Sequence, residues 1–263
     1  HAKEKIEENY TDRKLIISRT ANLTEPTEEQ LELGRSKCQF RNECWRGCSF
    51  GAYFSSQAAT LPAAERTGKL TIVTDAIAHS VIYDAKTGKA SGVRIIDAIT
   101  KEAREYKGKV VFLCASALGS TQILLNSISE TFQNGIANGS GVLGHYLMDH
   151  VFDAGARGRM TGMEDQYYSG RRPNGVYVPR FQNINEEHGE FIRGYGYEGW
   201  SSREGWDRLT GVVGHGAGFK QQIQNPGDWT FELMGFGEML PRFENHVRLD
   251  QHKKDKWGIP LLH

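Results

Sequence analysis

The sequence has no net charge, few cysteines and no long apolar run, and each shortage removes a class of function. Thirty-two basic residues balance thirty-two acidic ones, so no net field recruits nucleic acid or an anionic lipid surface. No window approaches the roughly 18 consecutive apolar residues that a membrane-spanning helix needs. A positively charged, then apolar leader with a small-residue cleavage site is not expected at the start. The four cysteines are too unevenly placed for a secreted disulfide framework. Three crowd into Cys38, Cys44 and Cys48, and Cys114 lies far downstream in an apolar run. What is present suits an ordinary globular protein: 263 residues, 38% of them apolar, with 30 glycines, enough for one large domain or two modest ones. The chain opens on His1 rather than Met and closes just after Gly258-Ile259-Pro260-Leu261-Leu262. The expectation is a piece cut at both ends.

Along the chain, a polar start with one β-rich piece, Leu15-Ile16-Ile17, leads into the cysteine loop. A small-residue stretch, Ser55 to Ala64, can form a helix. Leu70-Thr71-Ile72-Val73, Ala78 to Tyr83 and Ala90 to Asp97 are rich in strand formers, the last two joined by the turn Asp84-Ala85-Lys86-Thr87-Gly88. Residues 78 to 97 thus read as a β-meander. Lys109 to Cys114 reads as a short buried strand of the parallel-sheet kind. It enters a helix, Leu118 to Asn126, through the small residues Ala115-Ser116-Ala117. Such a turn lets backbone approach a ligand, and the helix start favours phosphate; many such units bind nothing. After Asp149-His150 glycines and aromatics become dense, including Tyr167, Tyr168, Tyr177, Phe181, Tyr195, Tyr197, Trp200 and Trp206. Runs such as Gly175 to Phe181 suggest an antiparallel sheet with long loops. Its aromatics either pack a core or stack on sugar faces.

The cysteine trio admits several chemistries. Structural zinc wants four ligands, and the nearest candidate fourth, His79, is not local. Two- and four-iron clusters normally take four cysteines. A three-iron, four-sulfide cluster needs three thiolates, which matches the count. Three free buried thiols are the remaining alternative.

The run from Ser55-Ser56 through Leu61-Pro62-Ala63-Ala64, Gly68 to Ile72 and Gly92-Val93-Arg94 to Cys114-Ala115-Ser116-Ala117-Leu118-Gly119-Ser120 resembles the middle of a glucose–methanol–choline (GMC) oxidoreductase. Gly144 to His150, Asn245 to Asp250 and Lys254 to Pro260 follow in the family's order. Ser120-Thr121 stands where the family usually has Ser-Pro, and Asn126-Ser127-Ile128-Ser129 where it often has Ser-Gly-x-Gly. These departures fit the bacterial sugar and polyol dehydrogenase branch. The resemblance implies a mixed α/β (α+β) fold: residues 1–150 as a partial FAD-binding domain including the cysteine loop 38–48, and 151–263 as an antiparallel-sheet substrate domain. It places Ala78 and the pair Ala115 and Ser116 against the adenosine of FAD.

The family's pyrophosphate turn and catalytic His, with its partner, are expected outside these residues. Residues 1–263 alone are therefore expected to be inactive. Cys38, Cys44 and Cys48 resemble the motif of FAD-dependent glucose and glucoside 3-dehydrogenases, where a [3Fe-4S] cluster passes electrons from flavin to a cytochrome. Gly47 would let that loop wrap tightly, and Arg46 would offset its charge. The implied activity is hydride transfer from a sugar or polyol carbinol to flavin, with a cytochrome c acceptor and a small accessory subunit as partners, in the periplasm or cell envelope. A metal-stapled carbohydrate-binding module and an oxygen-using oxidase are the rival readings.

Overall fold

The computed structural model describes residues 2–41, 44–166, 175–187, 189–204, 209–211, 213–224 and 227–263. In chain order its elements are α1 (Ala2–Asn9), β1 (Ile16–Ile17), α2 (Glu28–Glu32), α3 (Thr60–Arg66), β2 (Ala76–Asp84), β3 (Lys89–Asp97), β4 (Ala103–Lys107), α4 (Ser116–Asn126), β5 (His150–Met160), β6 (Val176–Val178), β7 (Gly196–Arg203), α5 (Gly216–Gln224), β8 (Trp229–Glu238), β9 (Leu249–Lys254) and β10 (Pro260–Leu262). They form two compact units, each assembled from two stretches of chain: 1–70 with 150–239, and 71–149 with 240–263. The composition break near residue 150 is therefore one of three crossings between units. It is not the single boundary that a division into 1–150 and 151–263 implies.

The first unit is a five-stranded antiparallel sheet in the order β1-β6-β7-β8-β5. β7 pairs with β8 over its whole length, from Gly196 opposite Phe236 to Arg203 opposite Trp229. Ala52, Val178 and Leu15 are the most enclosed apolar side chains of this unit. At Gly199 the strands close to a distance only glycine allows. A Cβ there would run into the carbonyl oxygen of Glu232 and a methyl of Leu233. Gly199→Ala is therefore expected to destabilise the fold by about 3 kcal/mol. A shift of the urea midpoint to lower concentration checks this, and an unchanged midpoint contradicts the register.

The second unit holds a three-stranded meander, β2-β3-β4, and the hairpin β9–β10. Asp84 builds the β2–β3 turn as the sequence suggests. Its carboxylate accepts from the Lys86 N–H and Thr87 hydroxyl, both at 2.9 Å, while Gly88 takes φ +68°. Val81 and Ile95 bury their side chains, and α4 lies against β2. The Ser127 hydroxyl just past α4 donates to the Ile123 carbonyl at 2.6 Å and accepts from the Val81 N–H at 2.8 Å. That bond satisfies a backbone donor on the outer edge of β2.

Two expectations need correction. Neither Leu70–Val73 nor Lys109–Cys114 is a strand. Both are irregular, with Val110 67% and Phe112 84% exposed. A parallel strand takes its hydrogen bonds from neighbours on both sides, and no strand among the described residues runs beside either segment. The helix expected over residues 55–64 begins only at Thr60, Ser55 to Ala58 forming turns. The antiparallel reading of the glycine-rich, aromatic region agrees with the sheet of the first unit, although Tyr167, Tyr168 and Trp206 lie outside the described residues.

Candidate cofactor and substrate sites

The cysteine loop is held at its base by backbone pairing. Leu23 N–H donates to the Ala52 carbonyl, Phe54 N–H to Ala21 and Cys38 N–H to Leu23, at 2.8 to 2.9 Å. Asn22 sits at the centre of this lattice, in an antiparallel bridge with Tyr53. Cys38 is buried, and Cys44 and Cys48 are half-buried. Cys44 opens a 3-10 turn, Cys44–Arg46, and Gly47 follows at φ +83°, the left-handed conformation that favours glycine. The Asn22 amide nitrogen donates to two sulfurs, Cys38 Sγ at 3.5 Å and Cys44 Sγ at 3.7 Å. The same amide leaves its oxygen buried without a donor, a cost of about 1–3 kcal/mol. Its nitrogen side is thus the side that is used.

Among the described residues no three His, Cys, Asp or Glu side chains converge closely enough to hold a metal ion. The structure gathers Cys38 and Cys44 on one donor, the Asn22 amide. The three thiols match a thiolate-bound cluster in donor type only; as placed, the described residues do not gather a set of metal ligands. His79 is on β2, in the second unit. Nothing in the sequence marks Asn22, which lies 16 and 22 residues from the sulfurs it meets.

In the second unit, Ala115 and Ser116 form the start of α4, and both are exposed. No side chain caps this end, so the first N–H groups of the helix are open to a ligand. Ser116 takes φ +60°, a strained conformation for a residue with a Cβ. That geometry explains why the resemblance sets a glycine in this place. Ala78 is exposed on β2, beside an irregularity in the β2–β3 register that leaves His79 unpaired between Ala78 and Ser80. Burial holds the His79 imidazole below its usual pKa, and the nearby Arg94 cation lowers it further. The small, open residues at the α4 start fit close approach by a bulky cofactor.

The segments Gly144 to His150 and Asn245 to Asp250, far apart in sequence, meet here. Val247 N–H donates to the Gly144 carbonyl and Leu147 N–H to Asn245, both at 2.9 Å. Gly144 is at φ +89°, where a Cβ would strike the Val247 carbonyl. The ring of His145 stacks on Phe243 at 4.0 Å between centroids.

The sheet of the first unit carries two clefts. One, of about 630 Å³, holds the Arg13 guanidinium between the rings of Tyr10 and Phe181, each 4.3 Å away. Phe181, Tyr195 and Tyr197 pack on one another there, so these aromatics serve the packing alternative. The other cleft, of about 530 Å³, is lined by Tyr177 and Trp200 with Arg19 and Glu198. Trp200 is 44% exposed. An open indole beside charged groups has the composition of a polyol site.

The sequence model of the GMC oxidoreductase family matches residues 4–152. That is more than half of the chain, and the protein belongs to this family. It is 31% identical over 186 residues to the 2-methyl-1,2-propanediol dehydrogenase of Mycolicibacterium austroafricanum, a match covering 66% of this chain and 32% of that protein. It is 24% identical over 230 residues to the fructose dehydrogenase large subunit of Gluconobacter japonicus, covering 86% of this chain and 41% of that one. The chain thus spans roughly a third to two fifths of the length of these curated relatives.

Proposed function

We propose that this chain is part of an FAD-dependent dehydrogenase that oxidises a carbinol of a sugar or polyol and releases the electrons one at a time. The observation that carries the substrate class is the pair of relatives, one named for a diol and one for a sugar. When bound, FAD supplies the two-electron acceptor for the carbinol hydride. The open N–H groups at Ala115 and Ser116 and the small side chain of Ala78 accommodate its adenosine part. Trp200 and Tyr177 offer ring faces to the C–H surface of the substrate, and Arg19 and Glu198 hydrogen-bond its hydroxyls. The base that takes the hydroxyl proton is assigned to no residue of 1–263.

In this reading Cys38, Cys44 and Cys48 would hold a [3Fe-4S] cluster as thiolates and supply the one-electron exit, with the Asn22 amide against two of the sulfurs. A cytochrome c and a small accessory subunit are the partners of this reading. The test is an assay of the full-length protein on mannitol, glucose and 1,2-propanediol with a redox dye, cytochrome c and oxygen as alternative acceptors. Dye and cytochrome reduction without peroxide is expected. Peroxide as the main product overturns the dehydrogenase reading, and silence on every polyol overturns the substrate class.

A further inference from the structure

We propose that the cleft holding Arg13 is a binding site for a carboxylate carried on an apolar body, anchored by the Arg13 guanidinium. The site goes beyond the dehydrogenase reading and uses none of the residues given to it. Val178, Tyr197 and Leu233 line this cleft, and Tyr177, Glu198 and Trp200 line the other. Side chains alternate along a strand, so the two clefts lie on opposite faces of one sheet.

The room in the cleft comes from strand register. Val178 pairs with Tyr197, Tyr197 with Gly235, and Gly235 with Ala154, one row across β6, β7, β8 and β5. The row begins with two full side chains and ends on a glycine and a methyl. Ala156, opposite Leu233, continues this low floor on β5. About 630 Å³ stands open above it, a volume within the range of small-molecule sites.

Arg13 gives the cleft its chemistry. Its guanidinium carbon lies 4.3 Å from the ring centroids of both Tyr10 and Phe181. The rings engage the faces of the cation and leave its N–H edge unused. Among the described residues, Nε is buried with no hydrogen-bond partner. The one ion pair is with Asp12, 3.9 Å from Nε and itself 59% exposed, which is too long for a hydrogen bond. The protein thus supplies the cation with ring faces and no close acceptor, and the planar fork of its terminal nitrogens matches the two oxygens of a carboxylate. Burial raises the pKa of the Tyr197 hydroxyl, and its hydrogen bond with Tyr195 adds to the effect. That hydroxyl therefore stays a neutral donor and does not become a competing anion. Ile6, Val178 and Leu233 offer only apolar contact, which selects the body of the ligand.

Calorimetric titration of the full-length protein with benzoate, neutral benzamide and inorganic phosphate, with no sugar or electron acceptor present, tests the site. Benzoate is expected to bind about tenfold or more tightly than benzamide, since only benzoate meets the charge. Arg13→Leu is expected to erase that preference. Ala154→Leu fills the floor at an exposed position and is expected to weaken benzoate binding about tenfold or more. Equal binding of benzoate and benzamide, no binding of benzoate, or a preference that survives in Arg13→Leu overturns the proposal. If Arg13→Leu does not fold, Ala154→Leu decides, and undiminished benzoate binding there overturns the site. Phosphate bound as tightly as benzoate overturns the ligand class. No turnover is measured, so failure here is distinct from failure of the dehydrogenase reading.

Discussion

Cys44→Ser in the full-length protein is expected to lose iron and to stop reducing cytochrome c, while reduction of flavin by substrate continues at close to the wild-type rate. A cluster corner needs a thiolate, and serine offers only a hydroxyl that does not ionise near neutral pH. Loss of a mere supporting partner already costs 10–100-fold in metal affinity, so loss of a ligand is expected to lower cytochrome reduction by more than about a hundredfold. In the proposed reading hydride transfer takes place elsewhere and does not pass through the loop. Cys38→Ser and Cys48→Ser should behave alike. Cys114, exposed in the irregular segment before α4, is the control, and Cys114→Ser should change neither half-reaction. Zinc in place of iron, or unchanged cytochrome reduction by Cys44→Ser, returns the trio to a structural role.

Ala115→Leu is expected to empty the protein of FAD without unfolding it. Ala115 is exposed at an uncapped helix start, so the larger side chain disturbs no core and circular dichroism should be unchanged. In the proposed reading, the leucine side chain would stand in the space given to the adenosine. Overpacking costs about 1–3 kcal/mol, which weakens flavin binding by about fivefold to more than a hundredfold. Ser116→Gly is the counterpart. It relieves a φ of +60° and should keep the flavin. Full flavin content in Ala115→Leu would leave the turn a packing feature.

How far these sites could be read from sequence depends on how local their causes are. The meander of β2 and β3 is legible because Asp84 and Gly88 carry the turn chemistry themselves and the flanking residues are strand formers. The cysteine trio is legible for the same reason, as spacing within one loop. Asn22 is not, because backbone pairing across the loop base brings it to the sulfurs. The apolar runs at 70–73 and 109–114 show the opposite failure. Their composition states a demand for burial, and burial depends on neighbouring strands that composition does not supply. The substrate-site aromatics divide only in three dimensions: Phe181 and Tyr195 pack, while Trp200 stands open on the same sheet.

The interleaving of the two units sets a schedule for synthesis. Ile16 of β1 pairs with Tyr177 of β6, a residue the ribosome adds 161 positions later. At about 5–20 residues per second, the first strand waits on the order of ten seconds or more for its partner to be made. Throughout that interval Ile16 and Ile17, which are 45% and 66% exposed even in the finished sheet, are a bare apolar edge of the kind that invites pairing with the wrong chain. Slower translation lengthens the exposure, and a chaperone that holds the nascent segment around Ile16 shortens it. Soluble yield should therefore respond to translation rate between codons 18 and 177 more than to any substitution at the cofactor sites.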